Sequence, residues 1–185
     1  MTALTIANQV TLLRMLLIPA FVILVLYGQL GWALTTFLIA GGTDALDGLI
    51  ARRAGQQTTL GAWLDPMADK LLLLSAFIVL SLPDRGLTVR IPAWLTILVI
   101  SRDVAIVLTV TIVNLAIGRR TFPPSFLGKA TTAFYIVTCL VFLVANYLGS
   151  SSAITDFFAY ASLALTVLSA LHYIRHAARI INAPA

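Results

Sequence analysis

The sequence contains no glutamate, a single cysteine and two histidines, and charged residues make up only 10% of its 185 residues. With Cys139 alone, no internal disulfide can form, and the shortage of sulfur and imidazole ligands argues against a zinc site. Apolar residues fill the chain instead, at 60% of the total, and the mean hydropathy is +1.00. Because these values lie outside the range of soluble domains, they predict an integral membrane protein.

Six apolar segments, each near the ~20 residues that a helix needs to cross a bilayer, are separated by glycines and prolines. An open sheet cannot satisfy its edges in lipid, so we predict an all-α fold with six transmembrane helices. A short interfacial segment is expected at residues 1–10, followed by a six-helix transmembrane domain over residues 11–185. The predicted crossings are Thr11–Leu26, Trp32–Ile50, Leu60–Leu82, Pro92–Ile117, Leu127–Leu148 and Ala153–Tyr173.

Basic residues are divided unequally between the two sides that these crossings define. An even number of crossings places both termini on one side, and most of the arginines and lysines outside the apolar runs fall there. The positive-inside rule makes that side cytoplasmic. The formal net charge of +5 is therefore expected to face anionic membrane lipids rather than nucleic acid. The basic residues on the terminal side are Arg14, Arg52, Arg53, Arg119, Arg120, Lys129, Arg175 and Arg179, whereas Arg85 and Arg90 fall on the other side.

Four of the seven acidic residues lie in one short window, at Asp44, Asp47, Asp65 and Asp69. Spacings of three and four residues put each pair on one face of a helix. Carboxylates beside long apolar runs are costly unless they are neutralised. The window therefore predicts a site for divalent metal, Mg²⁺ or Mn²⁺, since these ions prefer carboxylate and phosphate oxygens.

The residues between the acids suit a phosphate ligand. Gly48 and Gly61 leave room for a close approach to the backbone, Ala51 is nearly as small, and Arg52 offers a planar fork for phosphate oxygens. The pattern indicates metal-assisted phosphoryl transfer, in which a carboxylate activates an attacking hydroxyl. A cation or proton transporter that uses the same carboxylates is the alternative from a different class.

The window, Asp44-x2-Asp47-Gly48-x2-Ala51-Arg52-x8-Gly61-x3-Asp65-x3-Asp69, resembles the signature of the CDP-alcohol phosphatidyltransferase family at every fixed position. The resemblance extends to an N-terminal pattern and to six helices with a positive cytoplasmic side, so it covers nearly the whole chain. The residues of the N-terminal pattern are Asn8, Thr11, Arg14 and Pro19.

The resemblance implies a homodimeric membrane enzyme that moves a phosphatidyl group from CDP-diacylglycerol to an alcohol or phospholipid acceptor and releases CMP. By position, Asp44, Asp47, Asp65 and Asp69 would hold two divalent ions, and Asp69 would also act as general base on the acceptor hydroxyl. A bacterial inner membrane is the implied location, with the active site and both termini in the cytoplasm. The residues implied to contact the nucleotide or its diphosphate are Gly48, Ala51, Arg52, Gly61, Asn8 and Thr11.

Other intramembrane charges are candidates for the acceptor site. Arg102 either contacts an anionic acceptor or forms a self-neutralising pair with Asp103. Lys129 is either a phosphate ligand or a lysine that snorkels to the interface. The Ser101–Val104 and Pro124–Ala133 stretches resemble the cardiolipin synthase branch, whose acceptor is phosphatidylglycerol.

Other acceptors stay open. Glycerol 3-phosphate, the substrate of the phosphatidylglycerophosphate synthase branch, is the alternative acceptor. That branch often carries a second lysine where this chain has Thr131. Inositol phosphates and serine also remain possible. His172 and His176 are expected to form an interfacial basic cap on the last helix, with metal binding as the alternative.

Overall fold

The computed structural model describes the backbone of residues 6–54, 59–83, 86–117 and 126–181, and within these ranges it describes the side chains except those of residues 6–10, 44–54, 59–67, 114, 116–117 and 176–181. Six α-helices occupy these ranges, and no strand occurs within them. The helices are α1 (Ile6–Leu26), α2 (Leu30–Ala54), α3 (Thr59–Ser81), α4 (Ala93–Ile117), α5 (Phe126–Tyr147) and α6 (Ala153–Ile181).

The predicted all-α architecture is confirmed, and most helix ends lie within one or two residues of the prediction. Three ends differ: α1 begins at Ile6 instead of Thr11, α2 continues to Ala54 instead of Ile50, and α6 continues to Ile181 instead of Tyr173. Apolar runs mark where a chain crosses lipid, whereas a helix continues for as long as its backbone hydrogen bonds do. The predicted interfacial segment at residues 1–10 lies outside the described side chains and stays a prediction.

The chain divides into two compact units, one formed by residues 1–90 and 142–151 and the other by residues 91–141 and 152–185. In the first unit, α1 packs against both α2 and α3. Phe21 of α1 and Phe37 of α2 place their ring centroids 5.4 Å apart. The helix connection is short because Gly28, at φ 71°, ends α1 in the left-handed conformation that glycine tolerates.

The turn at Gly28 satisfies the last carbonyls of α1. Gly28 N donates to Val25 O at 3.0 Å, and Gln29 N donates to Leu24 O at 2.8 Å. This pair of bonds is a Schellman motif, which reverses the chain within three residues. Helices α1 and α2 are therefore antiparallel neighbours.

The first unit also contains the last turn of α5, where Asn146 is 3% exposed. Its side chain accepts from Val89 N at 3.0 Å and donates to Val89 O at 2.7 Å. One amide thus satisfies both backbone groups of a residue in the α3–α4 connection, which ties that residue to the end of α5.

In the second unit, α4 packs against α6, and polar side chains join α5 to α6. Tyr135 and Thr166 share a hydrogen bond of 2.5 Å, and Thr138 and Ser162 share one of 2.9 Å. Hydroxyl pairs of this kind are a common way for helices to associate in lipid, where apolar side chains are not driven together by water. Cys139 lies on the same helix and is fully buried.

The helix lengths and the exposed apolar surface define an integral membrane protein. Within the described residues, Ala93–Val113, Phe126–Tyr147 and Ala153–Arg175 are long and apolar enough to cross a bilayer, and Thr11–Leu26 and Leu30–Thr43 form shorter apolar helical stretches. Large apolar side chains such as Leu16, Ile97 and Leu115 are more than 60% exposed. Such exposure is expected where the surrounding solvent is lipid.

Candidate active site

The site begins at one end of the first unit, where three helix ends meet. Because α1 and α2 are antiparallel neighbours and α3 packs against both, the start of α1, the end of α2 and the start of α3 lie at the same end. The acidic window occupies the last two of these helix ends. The fold therefore brings Asp44 and Asp47 to the same end of the unit as Asp65 and Asp69.

Helix α1 has a stripe of buried residues on the face that packs against α2 and α3. Thr11, Arg14, Phe21 and Val25 are each at most 1% exposed, and their spacings of three, seven and four residues follow one helix face. Arg14 thus lies on the same helix face as Phe21 and Val25, which belong to the core of the unit. Arg14 therefore does not face anionic lipid head groups, as predicted for the basic residues of the terminal side, but is buried within the unit.

Helix α2 has a corresponding stripe. Ala33, Phe37 and Ala40 are at most 2% exposed, and continuing the alternation of four and three residues reaches positions 44 and 47. Since α2 is helical without interruption to Ala54, Asp44 and Asp47 occupy the same face of the helix as its buried residues.

Helix α3 repeats the pattern in the opposite direction. Leu72 is 6% exposed, and Ala76 and Leu80 are fully buried. Stepping back from Leu72 by three and then four residues reaches Asp69 and Asp65. By backbone register, the acidic positions of both helices therefore continue the helix faces that are packed elsewhere in the unit.

Arg14 and Asp69 form an ion pair between α1 and α3. Arg14 Nη1 donates to Asp69 Oδ1 at 2.5 Å, and the side chains are 1% and 43% exposed respectively. Arg14 is the largest side chain among the fully buried ones in the described part of the chain. A buried arginine requires such compensation, because an unpaired charge in a low-dielectric interior is strongly unfavourable.

The remaining predicted residues of the window are placed by their backbone alone. The side chains of Asp44, Asp47 and Asp65 lie outside the described residues, and among the side chains that are described no group of three or more metal-binding residues occurs. The half-exposed Asp69 carboxylate and the register of the other three acids fit a divalent cation, which takes oxygen ligands. Also on helical backbone with side chains outside the described part are Asn8, Gly48, Ala51, Arg52 and Gly61.

In the second unit Arg102 is held within a polar cluster. Its Nη1 donates to Asp103 Oδ1 at 2.8 Å and its Nη2 donates to Ser169 Oγ at 2.6 Å. The side chain of Arg102 is 9% exposed and that of Asp103 is 33% exposed. Arg102 Nε is buried and has no hydrogen-bond partner among the described residues. The interpretation of Arg102 and Asp103 as a self-neutralising pair therefore has direct geometric support.

Lys129 and Thr131 differ sharply in environment. Lys129 lies in the first turn of α5 and is exposed, as expected for a lysine whose ammonium stays at the interface. Thr131 is fully buried and its hydroxyl donates to Leu127 O at 2.7 Å. His172 is exposed near the end of α6, and the side chain of His176 lies outside the described residues.

Sequence reasoning missed two of these partners. The sequence marks Arg14 as a basic residue of the first crossing and as part of the N-terminal family pattern, but does not indicate that it pairs with Asp69. Ser169 carried no signal of its own, because a serine in an apolar helix usually bonds to its own backbone.

The helical membrane fold and the paired acids at one end of the first unit are typical of a membrane enzyme of metal-assisted phosphoryl transfer. Comparison with known families agrees with this class. The family profile described as CDP-alcohol phosphatidyltransferase matches residues 4–168. The chain belongs to this family. It is therefore an integral membrane enzyme that uses divalent metal ions to transfer a phosphatidyl group from CDP-diacylglycerol to an alcohol, with release of CMP.

Individual relatives fall in two groups by name. A protein named probable phosphatidylglycerophosphate synthase from Mycobacterium tuberculosis is 33% identical over 95% of this chain and 83% of its own length. A cardiolipin synthase (CMP-forming) from Streptomyces coelicolor is 37% identical over 70% of this chain and 60% of its own length. A CDP-diacylglycerol–glycerol-3-phosphate 3-phosphatidyltransferase from Pseudomonas fluorescens is 36% identical over 93% of this chain and 89% of its own length. The family is thus settled, whereas the acceptor differs among relatives. Membership in this family favours transfer chemistry over the ion-transporter alternative.

Proposed function

We propose that the acceptor is phosphatidylglycerol and that the product is cardiolipin. The observation that carries this proposal is the ion pair between Arg102 and Asp103 in α4. A phosphomonoester such as glycerol 3-phosphate carries a charge of about −2 near neutral pH, whereas the phosphodiester of phosphatidylglycerol carries one negative charge. Because Asp103 already neutralises Arg102, this helix offers little excess positive charge for a dianionic acceptor.

The first turn of α5 supports the same acceptor. Thr131 stands where a second lysine is often found in the glycerol 3-phosphate branch, and its side chain is buried and bonded to the backbone of its own helix. Lys129 is left as the exposed cation of this turn. Arg102 and Lys129 are the residues we assign to acceptor binding, and together with Asp103 they supply a net charge of about +1, which suits a monoanionic phosphodiester.

Glycerol 3-phosphate is the second candidate acceptor. It is favoured by the relatives named for it, whose matches extend over more than nine-tenths of this chain. The two acceptors differ in charge and in membrane solubility, so one assay distinguishes them.

For the chemical step, we assign Asp69 as the general base. Its carboxylate takes the proton from the acceptor hydroxyl, and the hydroxyl oxygen forms a bond to the phosphorus that bears diacylglycerol. The bond from that phosphorus to the bridging oxygen breaks, and CMP leaves with the electron pair. Asp44, Asp47 and Asp65, with Asp69, would hold two Mg²⁺ or Mn²⁺ ions. When bound, these ions would screen the negative charge of the diphosphate.

The other residues of the window are assigned to the nucleotide side of the reaction. Gly48, Ala51 and Gly61 leave space for the cytidylyl group, and Arg52 contacts the diphosphate. Asn8 and Thr11 approach the nucleotide from α1, where Thr11 occupies the inward face. The enzyme acts as a homodimer in a bacterial inner membrane, with both termini and the active site in the cytoplasm.

The acceptor is tested with the purified protein, CDP-diacylglycerol and either metal, and with phosphatidylglycerol, glycerol 3-phosphate, inositol phosphate and serine offered in parallel. We expect CMP release together with cardiolipin, at a kcat/KM at least about tenfold above that for glycerol 3-phosphate, which corresponds to ~1.4 kcal/mol of discrimination. Phosphatidylglycerophosphate as the main product would replace this proposal with the second candidate.

The charge argument has a test of its own in Asp103→Asn. Removing this carboxylate frees the charge of Arg102, so the ratio of kcat/KM for glycerol 3-phosphate to that for phosphatidylglycerol should rise about fivefold, or ~1 kcal/mol. Asp156→Asn is the matched control, because Asp156 is an exposed acid in the first turn of α6. An unchanged ratio in Asp103→Asn would show that the ion pair does not select the acceptor.

A further inference from the structure

Arg14 occupies an unusual place for a charged residue in a membrane helix. Its side chain is 1% exposed, and it lies on the face of α1 that packs against α2 and α3. Buried ion pairs rarely improve stability over apolar residues of similar volume. An arginine at this position therefore calls for an explanation beyond helix packing.

The partner of Arg14 is far more accessible than Arg14 itself. Asp69 is 43% exposed, so its carboxylate is open to approach, and the contact with Arg14 limits its rotation between staggered positions. The guanidinium is planar and is enclosed by the core, and its Nη1 donates a charge-assisted hydrogen bond to Asp69 Oδ1. The immobile member of the pair thus sets the orientation of the accessible one.

We infer that Arg14 is a positioning residue, which holds the carboxylate of Asp69 in the orientation that accepts the proton of the acceptor hydroxyl. This inference rests on the role of Asp69 proposed above. General-base catalysis depends on placing the base within hydrogen-bond reach of the proton, and a displacement of 1 Å can cost about 100-fold in rate. Arg14 acts through Asp69 and not through a contact with substrate.

The burial of Arg14 separates this role from direct binding of a phosphate. To reach the diphosphate of the substrate, the guanidinium would have to leave both its enclosed position and its carboxylate partner. Loss of Arg14 should therefore lower kcat and leave the KM for CDP-diacylglycerol within about threefold, since ground-state binding of the lipid is not removed.

The test compares Arg14→Gln, Arg14→Lys and Phe21→Leu in the full-length protein. We expect Arg14→Gln to lower kcat about 100-fold. Arg14→Lys retains the charge without the planar fork, so we expect it to recover at least about tenfold over Arg14→Gln. Phe21→Leu alters the same buried stripe of α1 two turns away, and its kcat per folded protein should stay within twofold.

Thermal unfolding of the variants in detergent supplies a readout that does not depend on activity. Arg14→Gln combined with Asp69→Asn should lower Tm by less than the sum of the two single changes, because both remove the same interaction. If Arg14→Gln does not fold, Arg14→Lys takes its place, both in the comparison of kcat and KM with wild type and in the double variant with Asp69→Asn; a kcat within twofold of wild type then overturns the inference.

Three results would overturn the inference: kcat for Arg14→Gln within twofold of wild type, a KM raised more than tenfold with kcat unchanged, or no recovery by Arg14→Lys. Wild-type protein in the same assay reports on the proposed function itself. Failure of the wild type to release CMP would refute that function, whereas normal wild-type turnover with unaffected Arg14 variants would refute only the positioning role.

Discussion

Each of the two compact units carries an arginine that is largely withdrawn from solvent, and the two are neutralised in different ways. In the first unit Arg14 pairs with Asp69, which lies 55 residues away on another helix and is 43% exposed. In the second unit Arg102 pairs with the adjacent residue, Asp103, and with Ser169. The first arrangement keeps a carboxylate accessible, whereas the second consumes the charge of the arginine within its own helix.

The polar residues between the helices also differ between the two units. Around the acidic end of the first unit, the inward stripes of α1 and α2 combine small and aromatic residues with Arg14. In the second unit, α5 and α6 are joined by hydroxyl pairs that satisfy one another. A membrane protein can thus carry polar groups either for reaction or for helix association.

The largest expected effect is the loss of turnover when the accessible carboxylate of Asp69 is removed. Asp69→Asn removes the proposed base but keeps the shape of the side chain, so turnover should fall by at least about 10³-fold while the fold is retained. CMP release from CDP-diacylglycerol and phosphatidylglycerol measures this loss. Asp156→Asn in the second unit is the control for loss of an acid as such, and it should retain wild-type turnover. Appreciable CMP release by Asp69→Asn would show that Asp69 is not the general base.

The next effect is on stability in the second unit. Arg102→Met leaves Asp103 without its nearest cation. Because Asp103 is one-third exposed, the loss should lie below the ~3–5 kcal/mol of a fully buried pair, at about 2 kcal/mol. Arg102→Met combined with Asp103→Leu removes both charges and should recover most of the stability. Unfolding in mixed detergent measures both variants, and a double variant no more stable than the single one would contradict the self-neutralising interpretation.

The smallest expected effect is on the stability contributed by the hydroxyl pairs that join α5 to α6. Tyr135→Phe removes the hydrogen bond to Thr166 and leaves the ring in place, so it should cost about 0.6 kcal/mol, the average for interhelical bonds in lipid. Tyr160→Phe is the matched control, because Tyr160 is 65% exposed and its ring contacts Trp94. Equal losses of unfolding free energy in the two variants would show that the hydrogen bond between Tyr135 and Thr166 does not stabilise the helix pair.

The helices were predictable because their lengths are set by the bilayer. The sequence predicts the third crossing at Leu60–Leu82, where α3 spans Thr59–Ser81, and the fourth at Pro92–Ile117, where α4 spans Ala93–Ile117. The acidic window is predictable from the clustering of four of the seven acids and from their spacing, since three- and four-residue intervals place side chains on one face of any helix.

The ion pairs were predictable only in part. The Arg102–Asp103 pair involves adjacent residues and is one of the two interpretations that the sequence offers for Arg102. The pairing of Arg14 with Asp69 depends on α1 packing against α3, and a contact between distant positions leaves no mark in a single sequence. The periodicity of buried positions 11, 14, 21 and 25 could have placed Arg14 inside the bundle, but could not have named its partner.

The burial of Cys139 has a practical consequence for biochemistry on this protein. Its thiol is fully enclosed, so a maleimide should leave the folded wild-type chain unlabelled and should react only once α5 has come away from its neighbours. Ser150, by contrast, is exposed beside the turn at Gly149. A cysteine introduced by Ser150→Cys, probed with an impermeant reagent on sealed vesicles, would report directly which side of the bilayer that turn faces, with the natural thiol left in place.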